Sequence, residues 1–264
     1  MINKIDVEID GVEYTLPKEI TVSHYGEVMR RMSFSDDDMD KAFDIIGVLL
    51  NIPYSLLREL DPDKIADLYI FLQNKMNQCD VPYIQSFKYK GTEYGGIVLN
   101  KMTFGEYVDI VNYIKDEVSI YMNIHKLCSL LYRPIVNKKV IPYDLEQQEL
   151  QYELFKDLPA KYFFGAFKNL YIYLTQMKKE VVVLFGDDED RRTVEGEIDK
   201  PKDDGSNLPW YKMIMALTGD DFTKIEYVVS RPVVECFNHL TYIRIRNEEE
   251  RKKYLDEKNK MNVI

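Results

Sequence analysis

Cysteine, histidine, tryptophan and glycine are scarce in this 264-residue chain, and each scarcity excludes something. The 3 cysteines, Cys79, Cys128 and Cys236, are odd in number, far apart and in no C-x-x-C pair. Neither a disulfide framework nor a zinc knuckle fits that spacing, and a reducing compartment suits it best. The 3 histidines, His24, His125 and His239, form no H-E-x-x-H and no i, i+4 pair, so no metal site is expected. The 12 glycines are adjacent only at Gly95-Gly96 and build neither G-x-x-x-x-G-K-[ST] nor G-x-G-x-x-G, the loops that cradle phosphate. No cofactor is expected. No run of about 18 apolar residues occurs, and the stretch from Leu170 to Phe185 is broken by Lys178, Lys179 and Glu180. The opening Met1-Ile2-Asn3-Lys4-Ile5-Asp6 lacks the apolar stretch of a signal peptide. A cytoplasmic protein without a membrane partner is the expectation.

Positive charge is also in deficit: 35 Lys and Arg stand against 45 Asp and Glu, a net −10. Counterion release from nucleic acid needs clustered cations interleaved with stacking rings. Only Lys88-Tyr89-Lys90 and Tyr242-Ile243-Arg244-Ile245-Arg246 come near that pattern, so no nucleic-acid partner is expected.

What the chain does have is 45% apolar and 12% aromatic residues, enough for one large core or two small ones. Ile5, Val7 and Ile9 alternate with polar residues, Asp10-Gly11 supplies a type I′ turn, and Val12, Tyr14 and Leu16 alternate on the return strand. Thr21 caps a short helix bearing Val22, Tyr25, Val28, Met29 and Met32 at helical spacing. Ser35-Asp36-Asp37-Asp38 reads as a capping box for the next helix, Pro53 ends or restarts it, and Asp61-Pro62 opens another. Phe104 to about Leu131 reads as the longest helix.

Self-similarity is the most informative feature. Gly11-Val12-Glu13-Tyr14 returns as Gly91-Thr92-Glu93-Tyr94, and Ile20-Thr21-Val22 returns as Met102-Thr103-Phe104, where Thr103 and Glu106 complete a capping box. Asp61-Pro62 and Leu158-Pro159 occupy similar places. Either a duplication or the repeated use of the same turn and cap chemistry produces this. The expected organisation is a hairpin plus helices over 1–80 and again over 81–185, an acidic linker or loop over 186–207, and a helical segment over 208–264. The linker holds nine acids against four bases. Beyond it, Asp220 is expected to cap a helix that carries Phe222, Ile225 and Val228. The expected fold class is α+β, predominantly helical with small antiparallel hairpins.

No catalytic set stands out. His125 and Cys128 share a helix face, but without an oxyanion donor or orienting carboxylate they read as a buried pair. Asp36, Asp38 and Asp40 match the first positions of a calcium loop, but Lys41 and Gly47 replace the required Gly and Glu. G-x-S-x-G is absent. A non-enzymatic protein is expected; a deep pocket lined by His125, Cys128 and a carboxylate would reverse that. The 20 tyrosines, which recur within helices, suit helix packing and partner surfaces alike.

Ile9-Asp10-Gly11-Val12-Glu13-Tyr14-Thr15-Leu16-Pro17, then Ile20-Thr21-Val22, Ile45 to Pro53 and Leu57 to Leu72, resemble tail assembly chaperones of tailed bacteriophages, and so does Trp210-Tyr211 with Ile225 to Leu240. The resemblance implies helical faces that cover apolar segments of a tail protein until assembly displaces them. It places the protein in the host bacterial cytoplasm during assembly or in the virion, with phage tail or other virion proteins as partners. Tyr107, Tyr113 and Trp210 are the expected partner contacts. The rival expectation is a virion component, a ring, connector or baseplate protein, that forms a homo-oligomer. An enzyme of unidentified type is the third.

Overall fold

A computed structural model describes residues 6–9, 11–180 and 208–261. Asp10 and the acidic segment 186–207 lie outside them. The chain is α+β and mostly helical, with eleven α-helices and six strands among the described residues. It divides into two compact units, 1–97 with 110–170 and 98–109 with 171–264. Two of these limits, at 109/110 and 170/171, fall inside helices, and the third, at 97/98, falls in a loop.

In the first unit β1 (Asp6–Ile9) and β2 (Val12–Thr15) pair antiparallel, with Ile9 opposite Val12, and Gly11 adopts φ +77 as the tight turn requires. Helix α1 (Val22–Met32) follows, capped by the Thr21 side chain, which accepts from the His24 N–H. Gly26 brings α1 against α6 (Glu117–Leu131): a Cβ there would stand 2.6 Å from the Tyr121 carbonyl oxygen and 2.9 Å from Ile124 Cγ2. Helix α2 (Asp38–Leu50) is capped two residues after the Ser35 expected to cap it. Asp37 Oδ1 accepts from the Asp40 N–H at 2.7 Å, while the Ser35 hydroxyl turns to the buried Asp44 carboxylate at 2.5 Å. After α3 (Tyr54–Leu57), Asp61 and Pro62 start α4 (Pro62–Asn77) as expected. Ile45, Ile46, Leu57, Ile65 and Leu72 are almost fully buried in the core these helices share. Each such side chain contributes about 1.5–3 kcal/mol of burial.

The same unit holds a sheet of order β3-β4-β5-β6, formed by Ser86–Tyr89, Thr92–Gly96, Tyr132–Val136 and Lys139–Val140. Both hairpin turns take left-handed backbone, at Lys90 and Gly91 and at Asn137 and Lys138. The β5–β6 hairpin has no counterpart in the expected modules. The single helix expected over Phe104 to Leu131 is two, α5 (Phe104–Tyr113) and α6, because Asp116 takes an extended conformation and caps α6 by accepting from the Ser119 N–H at 2.8 Å. Helices α7 (Leu145–Lys156) and α8 (Lys161–Glu180) follow. Gly165 of α8 lies against the backbone of Pro82 and Tyr83.

The second unit contains the start of α5, α9 (Leu208–Thr218), a 3-10 turn at Phe222–Lys224, α10 (Ile225–Val229) and α11 (Val233–Met261), which is the longest described helix.

The internal similarity has a structural counterpart, though not the one expected for Asp61-Pro62. In the first unit Thr21 forms an isolated antiparallel bridge with Pro159: Val22 N–H donates to the Leu158 carbonyl and Ala160 N–H to the Ile20 carbonyl, both at 2.8 Å. In the second unit Thr103 bridges Pro232 the same way, Phe104 N–H to Arg231 at 2.8 Å and Val233 N–H to Met102 at 2.9 Å. Each bridge joins a Thr-capped helix start to an X-Pro-X helix start. Thr103 and Glu106 also complete their capping box, at 2.6 and 3.3 Å. The Asp61-Pro62 start has no such strand partner. There the Asp61 side chain accepts from the Asp63 N–H at 2.8 Å, taking the place of the neighbouring carbonyl.

Candidate interaction surface

The three expected contact residues separate. Tyr107 is 8% exposed and packs edge-on to Phe237 at 5.1 Å and to Trp210 at 5.7 Å, with Phe104 stacked at 6.5 Å. Tyr107 and Trp210 therefore meet inside the second unit as part of an aromatic core. Burial pushes the Tyr107 phenol up to about 12. Tyr113 belongs to the first unit and is half-buried; its hydroxyl stands 3.5 Å from that of Tyr152, and the Lys126 ammonium lies over both rings.

The exposed aromatic area of the second unit lies elsewhere. Phe222 is 72% exposed, Tyr227 62% and Tyr211 50%. Local chemistry explains each. The cap is Asp221 rather than Asp220, which takes φ +63, and Asp221 Oδ1 accepts from both the N–H and the hydroxyl of Thr223. That turn is 3-10, advancing about 120° per residue instead of 100°. Phe222 lies in that turn and is exposed, whereas Val228, which the sequence listed with it and Ile225 in one helix, is buried. Tyr211 follows Trp210 by one position on α9, so their side chains leave the helix on different faces. Tyr227 carries the Arg231 guanidinium over its ring at 5.6 Å, held there by Glu235 at 2.5 Å. On α11, Tyr242 and Ile245, three apart, are exposed as well, with the His239 ring stacked on Tyr242. The signal the sequence carried for Phe222 was its place directly after a capping aspartate, where a ring is not committed to the helix's buried face.

The three cysteine thiols are buried and held in their protonated form. Cys128 is fully buried and burial pushes its thiol far up; Cys236 is raised to about 11, and Cys79 is raised by the same cause. Among the described residues no three His, Cys, Asp or Glu side chains gather as metal ligands, and no helix is long and apolar enough to cross a membrane. One cleft of the first unit, lined by residues of 16–20, 75–79 and 159–161, does not include His125 or Cys128.

His125 sits edge-on to Tyr152 at 6.5 Å, and burial, with Lys156 and Lys126 adding repulsion, lowers it to about 4. A folded value below the unfolded one means that the unfolded chain binds more protons between them. Stability is fully present above about pH 6.5 and falls as pH drops toward 4. The expected loss between pH 7 and pH 5 is about 1 kcal/mol from this residue, because solvent screens a group that is only partly buried. Urea unfolding at the two pH values checks it, and His125→Asn should flatten the slope; a wild-type protein more stable at pH 5 would contradict the assignment.

Compared with known proteins, the chain matches no family model, no curated protein and no solved structure.

Proposed function

We propose that this chain is a non-enzymatic assembly protein of a tailed bacteriophage, which holds an apolar segment of a tail protein on the exposed aromatic surface of its second unit. The observation that carries the reading is the outward placement of Phe222, Tyr227 and Tyr211 around α9 and α10. An aromatic ring left in water forgoes about 1.5–3 kcal/mol that burial against a partner recovers. Tyrosine and phenylalanine are enriched at such interfaces because they offer large area at low entropic cost. The host cytoplasm during assembly is the place of action. The test is binding of a synthetic apolar tail-protein segment to the purified chain. Phe222→Asp with Tyr227→Asp is expected to weaken binding at least tenfold while the melting temperature stays within about 2 °C. Unchanged affinity would overturn the reading, as would a loss that tracks unfolding.

A second reading, self-assembly into a ring or other virion structure, is favoured by the open strand edges. Among the described residues the sheet of β1 and β2 has two strands, and Val12 and Val136 are about half exposed. Light scattering across a concentration series separates the two. A closed oligomer of fixed order favours self-assembly, and a concentration-independent monomer removes it.

A further inference from the structure

The first unit contains a cleft of ≈ 160 Å³ beside the Thr21 bridge. Its apolar lining is Leu16, Pro17, Ile20 and Pro159, and three lysines from three separate segments stand around it: Lys18 before α1, Lys75 in the last turn of α4 and Lys161 in the first turn of α8. The only carboxylate among the lining residues is Glu19, and it is engaged, with Lys161 Nζ 2.6 Å from Glu19 Oε1. Lys18 and Lys75 have no carboxylate partner among the described residues. Two ammonium groups without a carboxylate partner thus lie beside one apolar cleft. The positive end of the long helix α8 faces the same region and adds to the attraction for an anion.

The molecule supplies its own control. The bridge at Thr103 and Pro232 repeats the backbone geometry, yet the positions matching Lys18 and Lys161 are Asn100 and Val234. The lysines are therefore not what the bridge needs in order to form. A bare anion would leave the apolar lining unused, and a purely apolar group would leave Lys18 and Lys75 unmatched. A ligand with a carboxylate on a short aliphatic body satisfies both. At about 30 Å³ per water, the cleft holds the space of roughly five waters, close to the size of one aliphatic side chain with its carboxylate.

We propose that this cleft binds the free C-terminal carboxylate of a peptide that ends in an aliphatic residue, with Lys18 and Lys75 pairing the carboxylate and the half-buried Leu16, Pro17 and Pro159 taking the side chain. The site is in the first unit and does not depend on the tail-assembly reading of the second.

The test uses the full chain and the peptide acetyl-Gly-Gly-Leu as its free acid and as its C-terminal amide, followed by titration calorimetry and amide chemical-shift mapping. The acid is expected to bind with shifts confined to the loop of Lys18, the end of α4 and the start of α8. The amide should bind at least tenfold more weakly, about 1.4 kcal/mol. Lys18→Gln with Lys75→Gln is expected to cause a similar loss without moving the melting temperature, and Lys75→Arg to retain binding. Equal binding of acid and amide overturns the proposal, as does no binding of either at about 5 mM. Inorganic phosphate competing as well as the acid also overturns it, because the cleft would then read charge alone.

Discussion

Alanine at Gly165 is expected to lower the melting temperature by about 5–10 °C, a loss of about 2–3 kcal/mol. Two effects oppose each other. In the middle of α8 a methyl group improves intrinsic helix propensity by about 1 kcal/mol. Against that, the new Cβ would collide with main-chain atoms of Pro82 and Tyr83, and a backbone has no rotamer by which to step aside. The segment cannot easily withdraw, because Tyr83 itself stacks on Tyr132 at 6.2 Å and its phenol covers Gly96. Tyr132 is in turn fixed by donating its hydroxyl hydrogen to the Ile84 carbonyl at 2.7 Å. Overpacking should win. Differential scanning calorimetry decides it: a melting temperature that rises on substitution would mean that propensity dominates and that the segment at Tyr83 does not lie on α8.

Tyr107→Asp is expected to unfold the second unit, at a cost of about 3–5 kcal/mol, whereas Tyr107→Phe should cost less than about 1.5 kcal/mol. The aspartate would remove the ring that Phe237, Trp210 and Phe104 pack against, and would place a carboxylate where burial already pushes the Tyr107 phenol up to about 12. Trp210 is the single tryptophan of the chain and belongs to the second unit, so its fluorescence reports that unit. A red-shifted emission in Tyr107→Asp together with native emission in Tyr107→Phe is the expected pair of results. Native emission in both would return Tyr107 to the list of surface contacts.

The sequence was most legible where a single side chain decides a local outcome. Thr21, Asp61 with Pro62, and Thr103 with Glu106 mark helix starts because their oxygens, or the missing proline N–H, answer the unpaired first-turn donors. It was least legible where a choice depended on distant parts of the chain. Pro134 bars a helix beyond the expected end at Leu131, but that Tyr132 to Val136 is a strand depends on its pairing with β4. Asp116 interrupts what periodicity alone reads as one helix. The same division applies to the candidate surface. The resemblance made Tyr107 and Trp210 partner contacts, and nothing in the linear sequence says that they pack with Phe104 and Phe237 in one aromatic core, or that Phe222 is left exposed in a 3-10 turn. The lysines of the cleft are spread over three segments and share no spacing that a linear reading would join.

The two Thr–Pro bridges also set an order of events during synthesis. Thr21 and Thr103 each leave the ribosome more than a hundred residues before the proline that completes their bridge. At a translation rate of about 5–20 residues per second, each early helix start waits at least about 5 s with a bare strand edge at its entrance. Neither unit can close while its second half is still being made, and the second cannot close until the start of α11 has emerged. Such high contact order slows folding and prolongs exposure of the early segments. A nascent chain stalled after α8 should accordingly present the Met102 to Phe104 edge to whatever binds extended backbone, while the finished protein offers none there.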